Sequence, residues 1–256
     1  GEEMFIALQR SSMSPIIYET LDYAVGITDA EANLIAQGNG VVSFLGTLDA
    51  AVISVRKKFR PENIFPGDIF VTNDPYSGGG THLSDVTLVL PVFYDGELVA
   101  FVANKAHWTE MGGKAPGSFT TDATEIYQEG LQLPTVKLMK EYQIDQSLLD
   151  LLAANVRLPD RTLGDLWAGI AAIRIGERRL RELLQRYGKA MVLGAKEALL
   201  DYGESMSLAA LQALPKGVFE AEDFIDGDGL GHGPFRVQVK VTITDDHFII
   251  DYTGSH

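Results

Sequence analysis

Three side chains that commonly bind metals, His82, Asp85 and His107, flank two apolar runs of the sequence. His82 and Asp85 lead into the run VTLVLPVFY, and His107 follows the run ELVAFVANKA. The pair Asp95-Gly96 joins the two runs. An Asp-Gly pair between strand-like segments predicts a β-hairpin, because both turn positions need a positive φ.

A hairpin brings the outer ends of its strands side by side, so we expect His82, Asp85 and His107 to meet at the open end. Two imidazoles and a carboxylate on rigid strand ends are typical of a divalent-metal site. The alternative is that both histidines are ordinary hydrogen-bonded surface residues. The glycine run Gly78-Gly79-Gly80 favours a binding site, because it lets the backbone approach a ligand closely.

The composition excludes several classes of function. The 256 residues are 46% hydrophobic and 22% charged, which predicts a packed core. The net charge of −14 argues against nucleic acid or an anionic membrane as a partner. There is no cysteine, which excludes disulfides, thiolate metal ligands and a cysteine nucleophile. No apolar segment reaches the length of a membrane span, and we expect a cytoplasmic protein.

The remaining patterns predict an α+β fold, with a mixed or antiparallel sheet, a long helical hairpin and a C-terminal antiparallel β meander. The sheet with its metal site is expected in residues 1–140, the helical region in 141–214, and the start of a second β region in 215–256. Asp145 and Asp160 are the predicted N-caps of the two helices, the second of which is expected to extend to Met191. Residues 109–137 lack a clear period and are expected to wrap the site as an irregular loop.

The segments that surround the candidate site resemble the hydantoinase B/oxoprolinase family. The matching stretches are GDIFVTNDPYSGGGTHLSDVTLVLPVF, LVAFVANKAHWTEMGGKAPGS, EGLQLPTVKL and VTITDDHFIIDYTGS. The resemblance implies that the chain is the N-terminal half of a family member. It also implies two macromolecular partners, the C-terminal half of such a chain and a hydantoinase A-type subunit that uses ATP.

The same resemblance implies roles for individual residues. His82, Asp85 and His107 correspond to the family's metal ligands, and Asp22 matches a further carboxylate position more loosely. Alternatively, Asp22 is a surface carboxylate at the end of a helix. The donor set suits zinc or manganese. Gly78–Gly80 are expected to admit the substrate, and Glu110 is the candidate catalytic residue for proton transfer.

The function expected from these features is metal-assisted opening of a lactam or hydantoin ring, after a partner subunit has activated the ring by phosphorylation with ATP. One alternative within the family is a subunit of an ATP-dependent ketone carboxylase. Another, of a different class, is a non-catalytic scaffold subunit in which the histidines are structural. The sequence has no GxxxxGK[ST] phosphate loop, no GxSxG nucleophile elbow and no HExxH pair.

Overall fold

The computed structural model describes residues 1–256, and the chain divides into two compact units, Gly1–Val192 and Leu193–His256. Helices and antiparallel strands occur together, which confirms the predicted α+β class. The two units differ from the three regions proposed from the sequence. The helix Pro159–Tyr187 packs against the strands Asp85–Tyr94 and Glu97–His107, and it therefore belongs to the first unit. No helix combines the length and the apolar character needed to cross a lipid bilayer.

The first unit is built on a seven-stranded sheet in which every neighbouring pair of strands is antiparallel. Its spatial order is β2-β1-β5-β4-β3-β6-β7. The strands are β1 (Tyr23–Asp29), β2 (Leu34–Gln37), β3 (Ile69–Thr72), β4 (Asp85–Tyr94), β5 (Glu97–His107), β6 (Val136–Lys140) and β7 (Gln143–Ile144).

The hairpin of β4 and β5 lies at the centre of this sheet and has the predicted turn. Asp95 and Gly96 adopt positive φ angles of 51° and 79°. The two strands are apolar on both faces because helices cover both sides of the sheet. Val89 and Phe101 pack into the cluster beneath one helical layer, whereas Leu88 belongs to the cluster on the opposite face.

Seven α-helices complete the regular structure. They are α1 (Glu2–Ser11), α2 (Pro15–Tyr18), α3 (Val42–Leu45), α4 (Leu48–Lys58), α5 (Gln146–Asn155), α6 (Pro159–Tyr187) and α7 (Lys189–Ala213). α4 contacts β4 and β5, and α6 contacts both of these strands as well as α1 and α5. The helical layers thus enclose the central hairpin that carries the candidate site.

The ends of the long helices differ in part from the predictions. Asp145 caps α5 as expected, accepting a hydrogen bond from the backbone N–H of Leu148. The prediction for Asp160 was wrong, because Leu158 is the N-cap of α6 and Pro159 occupies its first turn. The single helix expected to reach Met191 ends instead at Tyr187. Gly188, at a φ of 82°, stops it, and α7 begins at the next residue.

The second unit contains the predicted meander. Its strands β8 (Gly217–Ile225), β9 (Phe235–Ile243) and β10 (Phe248–Asp251) pair antiparallel in the order β10-β9-β8. All nine residues of β8 are exposed to solvent. Alternation of apolar and polar residues indicated these strands even though neither face of the sheet is buried in this unit.

Candidate metal centre

His82, Asp85 and His107 meet at the open end of the central hairpin. Asp85 is the first residue of β4 and lies directly opposite His107, the last residue of β5. His82 precedes Asp85 in a tight turn, in which the backbone N–H of Asp85 donates to the carbonyl of His82. One ligand atom from each residue lies within 4.8 Å of the others. The convergence expected from the hairpin is therefore present.

The buried carboxylate of Asp85 lies between the two imidazoles. Its Oδ1 atom is 3.1 Å from Nε2 of His82 and 3.5 Å from Nδ1 of His107. Neither approach has the geometry of a hydrogen bond, so this buried oxygen has no hydrogen-bond partner. The other oxygen, Oδ2, accepts from the hydroxyl of Thr81. An unsatisfied carboxylate oxygen that faces two ring nitrogens is the arrangement that a cation would complete.

Asp22 adds a second carboxylate to the group. It directly precedes β1, which pairs with β5, and its carbonyl accepts from the backbone N–H of His107. Its Oδ2 atom lies 3.6 Å from Nδ1 of His107. Asp22, the residue whose match to the family is looser, thus lies beside the other candidate ligands.

The electrostatics of the site follow from burial and from these contacts. The neighbouring Asp85 raises the pKa of the His82 imidazole, although burial opposes the shift. Burial alone would raise the pKa of the Asp85 carboxyl, but His107 and His82 together hold it below its usual value. For Asp22, burial dominates and raises the pKa of the carboxyl. Two imidazoles with one ionised and one partly buried carboxylate could hold zinc or manganese.

The loop between β3 and β4 carries His82 and is fixed at its base by Asn73. The amide nitrogen of Asn73 donates to the carbonyls of Leu83 and Leu131 at 2.7 and 2.9 Å, and its oxygen accepts from the backbone N–H of Leu133 at 2.7 Å. A buried amide with three such bonds restrains both ends of the loop. The sequence analysis did not identify this role of Asn73.

Gly78, Gly79 and Gly80 lie in the same loop, where the chain itself packs closely against them. A Cβ on any of the three would lie closer than 3.0 Å to other atoms of the chain, in Thr72, Thr47 and Asn73 respectively. None of the three glycines lines the cavity beside His82. The close packing of the chain explains why glycine occupies these three positions. Their role in substrate binding stays a prediction.

A cavity of about 470 Å³ opens beside His82. Its walls come from the loop before β4 and from the irregular segment predicted to wrap the site; they include Tyr76, Thr81, His82, Glu125, Ile126 and Glu129. The side chain of His82 is 34% exposed, whereas that of Asp85 is 1% exposed. A small molecule in the cavity would therefore meet His82 before the buried carboxylate.

Glu110 is buried in the segment that follows β5. Its carboxylate accepts from the backbone N–H groups of Gly112 and Gly117 at 2.8 Å and from Arg157 at 2.9 Å. None of these partners belongs to the candidate metal centre. The contacts favour an anchoring role for Glu110, and its part in proton transfer stays a prediction.

Lys105 is a further residue near the site that the sequence analysis overlooked. Its side chain is fully buried, and its ammonium donates to the hydroxyl of Thr47 and to the carbonyl of Gly79. Burial lowers the pKa of Lys105 to about 8. The sequence signal that could have identified Lys105 is its charge inside the apolar run ELVAFVANKA. A lysine is rarely buried without a specific partner, so its position in a buried strand indicates a specific role.

Comparison with known proteins relates the whole chain to one family. A family model described as Hydantoinase B/oxoprolinase matches residues 1–256. The chain is 35% identical to the beta subunit of caprolactamase from Pseudomonas jessenii, over 97% of its own length and 43% of that protein. It is 33% identical to the B component of a putative D-/L-hydantoinase from Pseudomonas sp. (strain NS671), over 99% of its own length and 44% of the relative. The chain thus spans less than half the length of these relatives.

Two solved structures share the fold. The crystal structure of ATP-dependent caprolactamase from Pseudomonas jessenii has a TM-score of 0.86 and 34% identity, covering 97% of this chain and 42% of that one. A nucleotide-free structure of acetone carboxylase has a TM-score of 0.90 at 20% identity, covering 98% of this chain and 35% of that one. At that identity the likeness to acetone carboxylase concerns the fold alone.

Proposed function

The chain belongs to the hydantoinase B/oxoprolinase family, and on this premise we propose that it forms the metal-binding part of an ATP-dependent amidohydrolase. In this proposal His82, Asp85 and His107 hold a zinc or manganese ion, with Asp22 as a further ligand. The substrate is a lactam or hydantoin ring, which a hydantoinase A-type partner activates by phosphorylation with ATP. The caprolactamase and hydantoinase relatives are each named as one subunit of a larger enzyme, which supports a partner chain.

One observation carries the proposal. The Oδ1 atom of Asp85 is buried, has no hydrogen-bond partner and faces two imidazole nitrogens at 3.1 and 3.5 Å. Leaving a buried acceptor unsatisfied costs about 1–3 kcal/mol, and more when the acceptor is charged. The two imidazoles offset part of this cost, since, despite burial, they hold the pKa of the Asp85 carboxyl below its usual value. A bound cation would remove the rest of the cost.

The chemistry that such an ion supplies is Lewis-acid activation of water near neutral pH, as hydrolysis of an activated ring requires. The residues of the chain supply the geometry. Asp85 and His107 are fixed by the register of β4 and β5, so their separation does not depend on loop motion. The cavity beside His82 gives a small ring access to that imidazole.

The experiment that tests the proposal is elemental analysis of the purified chain. We expect about one zinc or manganese ion per chain in the wild type and its loss in His82→Ala and His107→Ala. His232→Ala is the matched control, because His232 also contacts a carboxylate, Asp228, but lies in the second unit. Circular dichroism would verify that each variant folds.

Two outcomes would contradict the metal-binding proposal. One is the absence of metal from wild-type protein that has been soaked in zinc and manganese. The other is full metal content in both histidine variants, which would make the imidazoles structural. Once metal is established, ATP-dependent ring opening with the A-type partner tests the hydrolase, and a strict requirement for bicarbonate would indicate a carboxylase instead.

A further inference from the structure

Lys105 occupies a position that is costly for a lysine. The side chain lies on β5 between the sheet and α4 and is 0% exposed; it contacts no carboxylate directly, although Asp85 and Asp49 interact with it electrostatically. Its neighbours are the ring of Phe44, 5.7 Å from Nζ, and the two oxygens that accept from its ammonium. An ammonium group is rarely buried unless it is paired, because the loss of hydration costs several kcal/mol. A purely structural position in an apolar strand would be filled better by leucine or methionine.

The contacts of the ammonium join three elements at the edge of the candidate metal centre. Lys105 precedes His107 on the same face of β5, because side chains alternate along a strand. Thr47 is the N-cap residue of α4. Gly79 belongs to the loop that ends in His82. One buried group thus links the strand of one imidazole to the loop of the other.

This link adds to bonds elsewhere in the loop, where the Thr81 hydroxyl donates to Asp85 and the backbone N–H groups of Gly78 and Gly80 donate to the carbonyl of Asp74. Asn73 holds the base of the loop through Leu83 and the backbone of the following segment. Gly79 lies near the middle, with a φ of 70°, and its carbonyl is directed inward to Lys105. If the ammonium were removed, this partly buried carbonyl would lose its partner, and the loop would gain freedom three residues before His82.

We propose that Lys105 is a positioning residue of the metal centre, which holds the Gly79 carbonyl and thereby fixes the loop that carries His82. This inference rests on the proposed metal-binding function. Lys105 does not touch the ligand atoms, so its effect is on the geometry in which His82 approaches Asp85. Groups that orient metal ligands in this way typically contribute about 10–100-fold to metal affinity.

The test compares Lys105→Met with Lys137→Met in zinc titrations against a chromophoric chelator. Lys137 is the matched control, since it is also largely buried in the same sheet and close to phenylalanine rings, but it pairs with Asp68 at 2.7 Å. We expect Lys105→Met to weaken zinc binding by about tenfold or more and Lys137→Met to leave it within about twofold. Lys105→Arg, which keeps the charge and the donors, is expected to restore most of the affinity.

Hydrogen exchange of the amides in residues 78–82 provides a second measurement that needs no metal. Faster exchange is expected in metal-free Lys105→Met and unchanged exchange in Lys137→Met. If Lys105→Met does not fold, Thr47→Val removes one acceptor of the same ammonium and should accelerate exchange in the same residues.

The results separate the two proposals. Wild-type protein that binds neither zinc nor manganese would refute the proposed metal function, while loop exchange would still decide whether Lys105 orders the loop. Folded Lys105→Met with wild-type zinc affinity and wild-type exchange would overturn the positioning role. An equal loss of affinity in Lys137→Met would also overturn it, because general destabilisation would then be the cause.

Discussion

Asp165 connects the long helix to the segment that places Asp22. This carboxylate on α6 is 1% exposed; its Oδ1 atom accepts from the backbone N–H groups of Met13 and Ser14, at 2.7 and 3.1 Å, and its Oδ2 atom accepts from the Ser14 hydroxyl. Ser14 is the N-cap residue of α2. α2 in turn leads to Asp22, whose N–H donates to the carbonyl of Ile16 at 3.0 Å.

Replacing Asp165 with alanine removes all three acceptor contacts. The N–H of Ser14 is fully buried and would be left without a partner, at a cost of about 1–3 kcal/mol, and the half-exposed Met13 adds roughly 1 kcal/mol. Removing the buried charge offsets part of this loss. We therefore expect Asp165→Ala to lower the free energy of unfolding by about 2–4 kcal/mol. Asp165→Asn keeps an oxygen acceptor and gains an amide donor toward Ser14, so its cost should stay below about 1 kcal/mol.

The difference in the free energy of unfolding between wild type and Asp165→Asn also depends on pH. Burial raises the pKa of the Asp165 carboxyl in the folded state, although the bonds from Ser14 and Met13 oppose the shift. A carboxyl with a raised pKa favours folding most strongly below its unfolded pKa of about 4, and this contribution is lost as the pH rises through the folded value. Wild type should therefore lose stability relative to Asp165→Asn as the pH rises above about 4, and the difference should become constant once Asp165 is fully ionised in both states.

The assay is urea unfolding followed by tryptophan fluorescence, because Trp108 and Trp167, the two tryptophans of the chain, both lie in the first unit. Asp150→Asn is the matched control, an exposed aspartate on α5 whose removal should change the free energy of unfolding by less than about 0.5 kcal/mol. Equal destabilisation by Asp165→Ala and Asp165→Asn would refute the hydrogen-bond argument. A stability of wild type that increases with pH relative to Asp165→Asn would refute the argument that burial raises the pKa of Asp165.

Two further substitutions test how the surroundings of the site are held. Asn73→Ala leaves the carbonyl of Leu83 and the N–H of Leu133 without partners, so urea unfolding should show a loss of about 2–4 kcal/mol; a loss below about 0.5 kcal/mol would contradict the anchoring role. Glu110→Gln weakens the contact with Arg157 and should cost about 1–2 kcal/mol while zinc content is unchanged. Loss of ring opening by the assembled complex in folded Glu110→Gln would instead support proton transfer by Glu110.

The parts of the site that the sequence predicted are those set by local rules. The Asp95-Gly96 turn starts the register of one hairpin, and a one-residue shift of this register between Val92 and Phe93 then brings Asp85 opposite His107. The position of Asp22 could not be derived in this way. It depends on the pairing of β1 with β5, strands that lie far apart in the sequence, and no periodic pattern encodes such a pairing.

Glycine positions account for two further points at which the sequence pattern was insufficient. The end of α6 was placed too late because the apolar stripe continues past Gly188, while the backbone at that glycine turns to a φ of 82°. The glycines at 78–80 are predicted to admit the substrate, and a Cβ on any of them would also meet atoms of the chain itself. Pattern alone cannot distinguish close approach by a ligand from close approach by the protein.

The order of the strands explains why the site is at this end of the sheet. β5 lies between β1 and β4, so His107 is flanked by Asp22 on one side, at 3.6 Å, and by Asp85 on the other, at 3.5 Å. These three positions are set by strand pairing. The cavity beside His82, by contrast, is lined largely by the irregular segment between β5 and β6. Changes in that segment can therefore alter which small molecule fits the cavity while the candidate ligands stay in place, since loops tolerate substitutions that a paired strand does not.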